Sequence, residues 1–524
     1  MVEMVKALLA ALSAALVVLG AASGASGSAP VQGSIAGIVP HTPQVAHFLH
    51  RSAKPNLTFD ANYESLINQY FTGVAAASGS GSNVYSVDPQ YTDGTGQAAY
   101  DSTFGASFVS HDPLPANGCD DGVDPVCLTD QQLQNEIQHV LTVKSWHGGL
   151  GNMFFLMTPD GVGSCVDGVT NQCSTNVFCA YHNYFVDTSN KDVIYANEPY
   201  EGPSGGCFDP FDQGAPNDLN ADTTINTISH EHNEAITDPF GNAWWANDGA
   251  EDEIGDLCAW TFGTALGGSG TTTYNQVING HHYWLQQEYS NAGDGCVQNL
   301  GGASSPPGAG SGPLAYDGGQ VMHTNTTYAI YWLPIPRNNT RPVLSGTAAV
   351  RQHITSSSGT WNGSPVHFTY RWQRCSASPT GCVDIPGATA STYTLKRADG
   401  GRYVRSTVRA ENVNGASGYV ASAGRLVVSS PQSEQAPSIS GQARVGHRLT
   451  ANRGSWSGPP RTFGFQWLRC TAQGAGCTAI TNATNVHYTL TKQDAGHRLR
   501  VLVTAVNAAG RKRATSSPTS RVSH

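Results

Sequence analysis

The stretch Asp222–Trp245, DTTINTISHEHNEAITDPFGNAWW, decides how the chain is interpreted. Its spacing predicts a helix that Thr223 or Thr224 caps and that Pro239 ends, because the residue before a proline avoids the α region. Helical periodicity gives this helix two faces. One face is apolar apart from His232, which we expect to be buried and hydrogen-bonded. The opposite face gathers polar side chains: Thr227, His230, Glu231, Glu234 and Asp238.

The polar face has the spacing of a metal site. His230 and Glu234 are four residues apart, so both project towards one spot, as the two histidines of an HExxH zinc helix do. A carboxylate is an accepted zinc ligand, so HExxE predicts two ligands. Glu231 is then predicted to be the catalytic base that takes a proton from water and passes it to the leaving group. A surface helix with solvated carboxylates is the competing interpretation.

A catalytic zinc ion takes three protein ligands and a water molecule, so a third ligand must come from elsewhere. The segment EDEIGD at 251–256 supplies the candidates. Glu253 is our first choice, because its place downstream of the helix resembles that of the third ligand in gluzincin-type proteases. Asp256 is predicted to orient His230 or to be the ligand itself, and Asp238 to support the helix end or the ligands. Weaker candidates are two histidines further along the chain: His281 and His282.

These motifs also carry a family resemblance. SHEHNEAITDPFGNAWW, EIGDLC and the late Cys296 resemble the pattern HExxEAxTxP…AW…EIGD.C of a family of secreted bacterial proteins, distantly similar to plant phosphate-induced, EXORDIUM-like proteins. The resemblance covers about residues 60–335 and implies a structural Cys258 with Cys296 as its partner. The plant relatives are linked to cell-wall growth. The resemblance also implies that five residues form one site: His230, Glu231, Glu234, Glu253 and Asp256.

Composition favours loop-rich, β-rich extracellular domains, since the 524 residues include 59 glycines and only 13% are charged. Residues 1–300 hold 5 Lys and Arg against 32 Asp and Glu, whereas residues 301–524 hold 23 against 6. The acidic half suits cations, and the basic half suits an anionic surface such as a cell-wall polymer. Simple solubility explains the basic half equally well. Nucleic acid is a poor partner for an exported chain, and no recognition motif supports it, so we expect no nucleic-acid partner.

The N-terminus predicts export. Lys6 precedes an apolar run, Ala7–Leu19, and a stretch of small residues, Gly20–Ala29. This pattern is typical of a signal peptide over residues 1–29, cut after Ala25 or Ala29, and a membrane anchor is the alternative. We therefore expect a secreted, extracellular protein with no membrane association after cleavage.

The 12 cysteines agree with export, because their even number and the absence of C-x-x-C favour disulfides over a thiolate zinc site. Four pairs lie close in sequence and are predicted to bond: Cys119 with Cys127, Cys165 with Cys173, Cys375 with Cys382, and Cys470 with Cys477. Cys179, Cys207, Cys258 and Cys296 remain.

Residues 30–300 are predicted to form an α+β, zincin-like catalytic domain, and residues 301–313 a linker. Helices are expected at Asp60–Ala77 and at Thr129–Thr142, the second with a capping box formed by Thr129 and Gln132. Strands are expected at three further ranges: Asn152–Thr158, Asn176–Val186 and Asp192–Asn197.

Residues 314–336 hold a strand in an unexpected place. Val321–Pro334, VMHTNTTYAIYWLP, resembles the strand that opens the domain in this family, yet it follows the catalytic segment here. We expect Tyr328–Leu333 to return to the N-terminal sheet, as in a circular permutation. A remnant of a second copy is the alternative.

The last part of the chain repeats with a period of 95 residues. Trp361 matches Trp456, and Trp372 matches Trp467. Units of this length, at 340–430 and 436–524, predict two all-β sandwiches. The pattern resembles the immunoglobulin-like repeats of secreted actinobacterial proteins, which implies a spacer or surface-binding role and a disulfide local to one hairpin.

Together these patterns predict a secreted zinc-dependent hydrolase, a metalloendopeptidase acting on protein or peptide substrates. The main alternative is a non-enzymatic protein of the cell wall or cell surface with a structural metal site or none. A carbohydrate-binding or carbohydrate-cleaving protein is a third interpretation, drawn from four tryptophans: Trp244, Trp245, Trp260 and Trp284. Calcium is a second candidate cofactor, although the acidic loops lack an EF-hand pattern and suit solvated loops better. The acidic residues concerned are Asp120, Asp121, Asp124, Asp209, Asp212, Asp218 and Asp222.

Overall fold

The computed structural model describes the main chain of residues 38–40 and, in full, residues 57–166, 172–200, 207–208, 214–246, 252–301, 312–376 and 380–524. The predicted signal peptide, 1–29, and almost all of the predicted linker, 301–313, lie outside the described residues. The chain is multidomain and mostly β. Among the described residues, no helix combines the length and the apolar composition that a membrane span requires.

The N-terminal unit is built on one mixed sheet of six strands in the order β1-β6-β7-β4-β14-β2. Strands β7, β4, β14 and β2 run parallel, and β6 and β1 are antiparallel to their neighbours. The other strands form short two-stranded ladders. The strands of this unit are β1 Ile38–Pro40, β2 Ser102–Ser110, β3 Val126–Thr129, β4 Asn152–Thr158, β5 Val162–Cys165, β6 Phe178–Val186, β7 Asp192–Pro199, β8 Trp244–Ala246, β9 Gln276–Ile278, β10 His281–Tyr283, β11 Glu288–Ser290, β12 Gly295–Val297, β13 Leu314–Tyr316 and β14 Asn325–Trp332.

Three helices cover the two faces of this sheet: α1 Tyr63–Ala76, α2 Asp130–Lys144 and α3 Leu219–Thr237. Helices α1 and α3 share one apolar core with one face of the sheet, and α2 forms a second core on the other face. The sheet is therefore enclosed between helices. The capping box of α2 is confirmed, because Thr129 and Gln132 exchange hydrogen bonds.

The predicted start of α3 was wrong. The helix begins more than one turn earlier than expected, and its cap is Asp218, whose side chain accepts hydrogen bonds from the main-chain N–H groups of Asn220 and Ala221. An aspartate in this position satisfies free donors of the first turn. Thr223 and Thr224 lie inside the helix instead. The end after Thr237, before Pro239, agrees with the prediction.

Strand β14 lies in the N-terminal sheet, between β2 and β4 and parallel to both. Its Tyr331 hydroxyl contacts α1, at 3.1 Å from the carbonyl oxygen of Glu64 and 3.0 Å from Asn68 Oδ1. The segment that follows the HExxE motif in sequence thus lies in this sheet, next to its edge strand β2. The arrangement meets the geometric requirement of the circular permutation, which stays a hypothesis.

Two β units follow, and their strands match at the 95-residue offset. In the first unit a three-stranded sheet (β16, β17, β21) faces a sheet centred on β19 and β22, with buried Trp372 between them. The second unit repeats this around Trp467. The strands are β15 Arg337–Thr340, β16 Leu344–Gly346, β17 His353–Ser356, β18 Thr360–Asn362, β19 His367–Cys375, β20 Val383–Asp384, β21 Thr392–Thr394, β22 Tyr403–Asn412, β23 Gly415–Ala416, β24 Val420–Ala421, β25 Arg425–Leu426, β26 Gln432–Gln435, β27 Ser438–Ser440, β28 Arg448–Asn452, β29 Ser455–Ser457, β30 Thr462–Cys470, β31 Thr478–Ala479, β32 His487–Thr489, β33 Arg498–Asn507 and β34 Gly510–Thr515.

All 12 cysteines are disulfide-bonded, which is typical of proteins of oxidising compartments. The four short-range pairs are confirmed. The pairing of Cys258 with Cys296, implied by the resemblance, is also confirmed. The sixth bond joins Cys179 to Cys207. In each repeat the bond is local to one hairpin, as the resemblance to immunoglobulin-like repeats implied.

Candidate metal centre

Helix α3 is buried on both of its faces. Every residue from Ala221 to Thr237 is buried. The apolar face packs on α1 and the sheet, and His232 lies there as predicted, hydrogen-bonded to Tyr85 and Asn325. The polar face lies against β6, β7 and the segment 252–258. A surface helix with solvated carboxylates is therefore excluded, and each carboxylate on this face needs a compensating partner.

His230, Glu234 and Asp256 meet at the centre of this buried face. His230 Nε2 lies 2.8 Å from Glu234 Oε1 and 3.5 Å from Asp256 Oδ1. Neither ring nitrogen of His230 has a hydrogen-bond partner, so the short contact to Glu234 lacks the alignment of a hydrogen bond. Two ligands of a tetrahedral zinc ion, with bonds of about 2.0–2.2 Å, lie roughly 3.3–3.6 Å apart. The 3.5 Å separation falls in this range and the 2.8 Å separation is shorter, and the nitrogen and the two carboxylate oxygens form a group that could hold a metal ion.

A second group of potential ligands lies beside the first and shares Glu234 with it: His182, Glu234 and Glu253. His182 Nδ1 lies 3.2 Å from Glu231 Oε2 and 3.6 Å from Glu234 Oε2, and its Nε2 lies 3.8 Å from Glu253 Oε2. The structure thus associates the two candidate third ligands with different histidines. Asp256 faces His230, whereas Glu253 faces His182.

The turn that carries Asp256 packs directly against the side chains of His230 and Glu234. A Cβ atom on Gly255 would lie 2.8 Å from His230 Nδ1 and 2.9 Å from Glu234 Oε1, so only glycine fits there. The main-chain N–H of Asp256 donates to Glu234 Oε1 at 3.0 Å. The disulfide of Cys258 fixes the end of this segment. The EIGD motif therefore brings both a side chain and its main chain to the helix.

Burial and mutual charge dominate the electrostatics. Burial alone would lower the pKa of His182, but the hydrogen bond to Glu231 and the nearby Glu234 raise it to about 10. Burial likewise opposes a charged His230, yet the Glu234 carboxylate raises its pKa well above the usual value. Burial raises the pKa of Glu253, and neighbouring carboxylates raise it further. A site of this kind retains protons unless a cation replaces them.

Asp238 supports the helix end. Its Oδ1 accepts hydrogen bonds from the main-chain N–H groups of Asn242 and Ala243, at 2.7 and 2.8 Å. Its carbonyl oxygen lies 3.2 Å from His182 Nε2. Asp238 thus fixes the turn after α3 and, through its main chain, the orientation of His182.

Sequence reasoning missed two residues of this cluster, His182 on β6 and Glu198 on β7. Glu198 accepts a hydrogen bond from Thr227 at 2.7 Å, and its second oxygen has no partner. One signal was available: the strand FCAYHNYFV places a histidine in an otherwise aromatic and apolar run. Nothing in the sequence indicated that this strand lies beside α3.

Other candidates lie outside the centre. His282 is exposed and stacks on Tyr274. Asp218 and Asp222 hold the start of α3, and Asp121 accepts hydrogen bonds from its own loop. Asp209 and Asp212 lie outside the described residues. The tryptophans Trp244 and Trp284 are largely buried among aromatic neighbours, as expected of core residues.

Comparison with known proteins gives one short sequence match. The chain is 43% identical over 70 residues to Protein EXORDIUM-like 3 of Arabidopsis thaliana, and the match covers 13% of this chain and 20% of that protein. The chain thus aligns with one fifth of its relative. No known family profile matches the sequence.

Two of the solved structures that match are those of a chicken contactin and of titin. The FN1–FN3 domains of chicken CNTN1 are 15% identical, over 36% of this chain and 69% of theirs, with a TM-score of 0.18. Domains A168–A170 of titin are 14% identical, over 54% of this chain and 88% of theirs, with a TM-score of 0.20.

Proposed function

We propose that the N-terminal unit is a secreted, zinc-dependent hydrolase of the zincin-like type, acting as a metalloendopeptidase on protein or peptide substrates. One observation carries the proposal: His230 has two buried, unpartnered nitrogens beside the carboxylates of Glu234 and Asp256. A buried imidazole in that state is costly unless a proton or a metal ion compensates it.

In this proposal His230, Glu234 and Asp256 hold the zinc ion, which activates water and polarises the scissile carbonyl when bound. Glu231 accepts the proton of the attacking water and returns it to the leaving amine. Its side chain is suited to this, since Oε2 is held by His182 while Oε1 is buried and has no partner. Thr227 lies on the same face of α3 as Glu231, and its hydrogen bond to Glu198 of β7 keeps the helix against that strand.

The test compares wild-type protein with the Glu231→Gln variant, each purified, chelated and reloaded with one equivalent of zinc. Both are incubated with a library of fluorescence-quenched peptides. We expect both proteins to hold zinc and only the wild type to cleave, with cleavage abolished by chelator and restored by zinc. Equal turnover by the two zinc-loaded proteins would contradict the assignment of Glu231.

A structural metal in a non-enzymatic protein is the second candidate, because the ligand side chains are deeply buried. His230 and Glu234 have no exposed side-chain area, and Asp256 is 12% exposed. Structural zinc sites are closed by protein ligands, whereas catalytic sites keep one open position. If the zinc-loaded wild type cleaves no peptide, yet loses stability on chelation, this second function is favoured.

For the two repeats we propose attachment to an anionic surface polymer. Three consecutive basic residues, Arg511–Arg513, are exposed on the edge strand β34. Binding of this kind falls steeply with salt, because it depends on screened charge. Retention of the full chain on polyphosphate resin, eluted by salt, tests it, with a triple Arg511→Ser, Lys512→Ser, Arg513→Ser variant expected to elute earlier.

A further inference from the structure

The two oxygens of the Glu234 carboxylate face two different histidines. Oε1 lies 2.8 Å from His230 Nε2, and Oε2 lies 3.6 Å from His182 Nδ1. Oε2 is buried and has no hydrogen-bond donor. A carboxylate with one oxygen directed to each of two imidazoles has the geometry of a bridging ligand.

The surroundings of His182 favour the same arrangement. Its Nδ1 lies 3.2 Å from Glu231 Oε2, and this nitrogen donates its proton to the carboxylate. Metal-binding histidines are commonly fixed in this way, by a carboxylate that accepts the proton of the other nitrogen. Nε2 then faces two oxygens, the main-chain carbonyl of Asp238 at 3.2 Å and Glu253 Oε2 at 3.8 Å. A ring nitrogen that faces two oxygens needs a proton or a metal ion between them.

Glu253 lies on the Nε2 side of the same ring. Both of its oxygens are buried and lack a hydrogen-bond donor. Its neighbours include the carboxylates of Glu234, Asp238 and Asp256. With one divalent ion at His230, Glu253 has only a proton or a second cation to compensate it, since the ion pairs described around the centre involve histidines and no lysine or arginine.

We propose that the centre holds two zinc ions bridged by Glu234. His230, Glu234 and Asp256 bind the first ion, and His182, Glu234 and Glu253 bind the second. This inference rests on the proposed metal site and extends it. Two-metal centres stabilise both the attacking and the leaving atoms of a hydrolysis, so a bridged pair suits the proposed hydrolase. Glu231 stays beside the second ion, oriented by its contact to His182.

The test counts metal ions. Purified full-length protein is saturated with zinc, separated from free metal on a desalting column and measured by elemental analysis. We expect two zinc ions per chain in the wild type and one in the His182→Ala variant. His139→Ala is the matched control, because the side chain of His139 is 54% exposed and far from the centre in the fold, on α2; it should keep two ions.

A second readout reports the bridge itself. With manganese in place of zinc, the wild type should give the electron paramagnetic resonance spectrum of a spin-coupled pair, and His182→Ala the spectrum of an isolated ion. If His182→Ala fails to fold by near-ultraviolet circular dichroism, Glu253→Gln replaces it. One zinc ion per chain in the saturated wild type would overturn the two-ion centre and leave the proposed hydrolase site standing. Two ions in both wild type and variant would overturn the ligand assignment, and no bound zinc would overturn both proposals.

Discussion

Removal of zinc is expected to destabilise the N-terminal unit and to leave the two repeats unchanged. The proposed ligands of the centre come from α3, β6 and the segment 252–258, so a bound metal would hold together three parts of one unit. Both repeats have their own cores and share none of these residues. Calorimetry of the full chain should therefore show one transition that depends on zinc and another that does not.

The size of the shift follows from binding linkage. A ligand at about 100 times its dissociation constant stabilises the folded state by about 2.7 kcal/mol if the unfolded chain does not bind it. For a unit of 150–250 residues or slightly more, each kcal/mol moves the melting temperature by about 2–4 °C. Chelation should lower the zinc-dependent transition by roughly 5–10 °C. A competing chelator of known affinity holds the free zinc concentration at a chosen value, so the dissociation constant of the first ion can be measured.

A Glu234→Gln variant provides the control, because the substitution keeps the size of the side chain and removes its charge. It should melt at one temperature with or without zinc, and its repeats should melt as in the wild type. The reasoning is refuted if chelator and excess zinc give the same melting curve for the wild type, or if zinc stabilises Glu234→Gln to the same extent.

Gly255→Ala should weaken zinc binding at least 10-fold in chelator competition, because the added Cβ would displace His230 and Glu234. The magnitude follows from metal sites in general, where loss of a residue that supports the ligands lowers metal affinity by about 10–100-fold. Asp494→Ala should cost the second repeat about 3 kcal/mol at pH 7 in urea unfolding followed by tryptophan fluorescence, because it leaves Arg469 without its partner. Burial alone would raise the pKa of Asp494, but hydrogen bonds from Thr491 and the contact with Arg469 hold it below the usual 3.8. The stability that the ionised Asp494 contributes is therefore present above about pH 4 and is lost as the pH falls through the lowered pKa. The Asp494→Ala variant should lack this acid-dependent loss of stability. Asn507→Ala should increase bending between the repeats in small-angle scattering, because Asn507 Nδ2 donates to carbonyl oxygens on both sides of the junction, and an unchanged scattering profile would contradict this.

The parts of the fold that local patterns determine were predictable from the sequence. Strand Asn152–Thr158 and the capping box of α2 follow from residues that lie next to each other in the chain. The start of α3 did not follow, because Asp218 precedes a polar run, LNADTT, that masks the helical period. The Asp218 cap determines where α3 begins, although the hydrophobic pattern gives no indication of a helix there.

In the candidate centre, too, residues that are close in sequence could be predicted, whereas a residue brought in by distant contacts could not. His230 and Glu234 were found because one helix turn brings them together, and Glu253 and Asp256 because they follow on a short, recognisable segment. His182 was not found, since only the pairing of β6 with β7 and the packing of α3 on both strands bring it to Glu231. Contacts across a sheet carry no sequence spacing that would reveal them.

The 95-residue offset also relates the hydrogen bonds at the two junctions that precede the repeats. Asn507 donates to Ser429 and Gly458, and the equivalent Asn412 donates to Pro334 and Gly363, each 95 residues earlier. The junction between the two repeats is therefore built like the junction between the N-terminal unit and the first repeat. At the first junction Pro334, just after β14, accepts the hydrogen bond that Ser429, at the end of the first repeat, accepts at the second junction.

The disulfide Cys258–Cys296 connects the chemistry of the centre with the compartment that the cysteines indicate. Glu253 and Asp256 lie on a short segment that ends at Cys258, and the bond to Cys296 attaches that segment to β12. Without the bond, the ordering of both carboxylates beside the helix would depend on the segment's own few contacts, at the entropic cost of fixing each residue. Because a disulfide of this kind persists in oxidising surroundings, the ligand set is complete only where the chain is oxidised. The proposed secretion and the proposed metal binding are thus parts of one physical argument: the compartment that forms the disulfide would also fix the carboxylates that we propose as metal ligands.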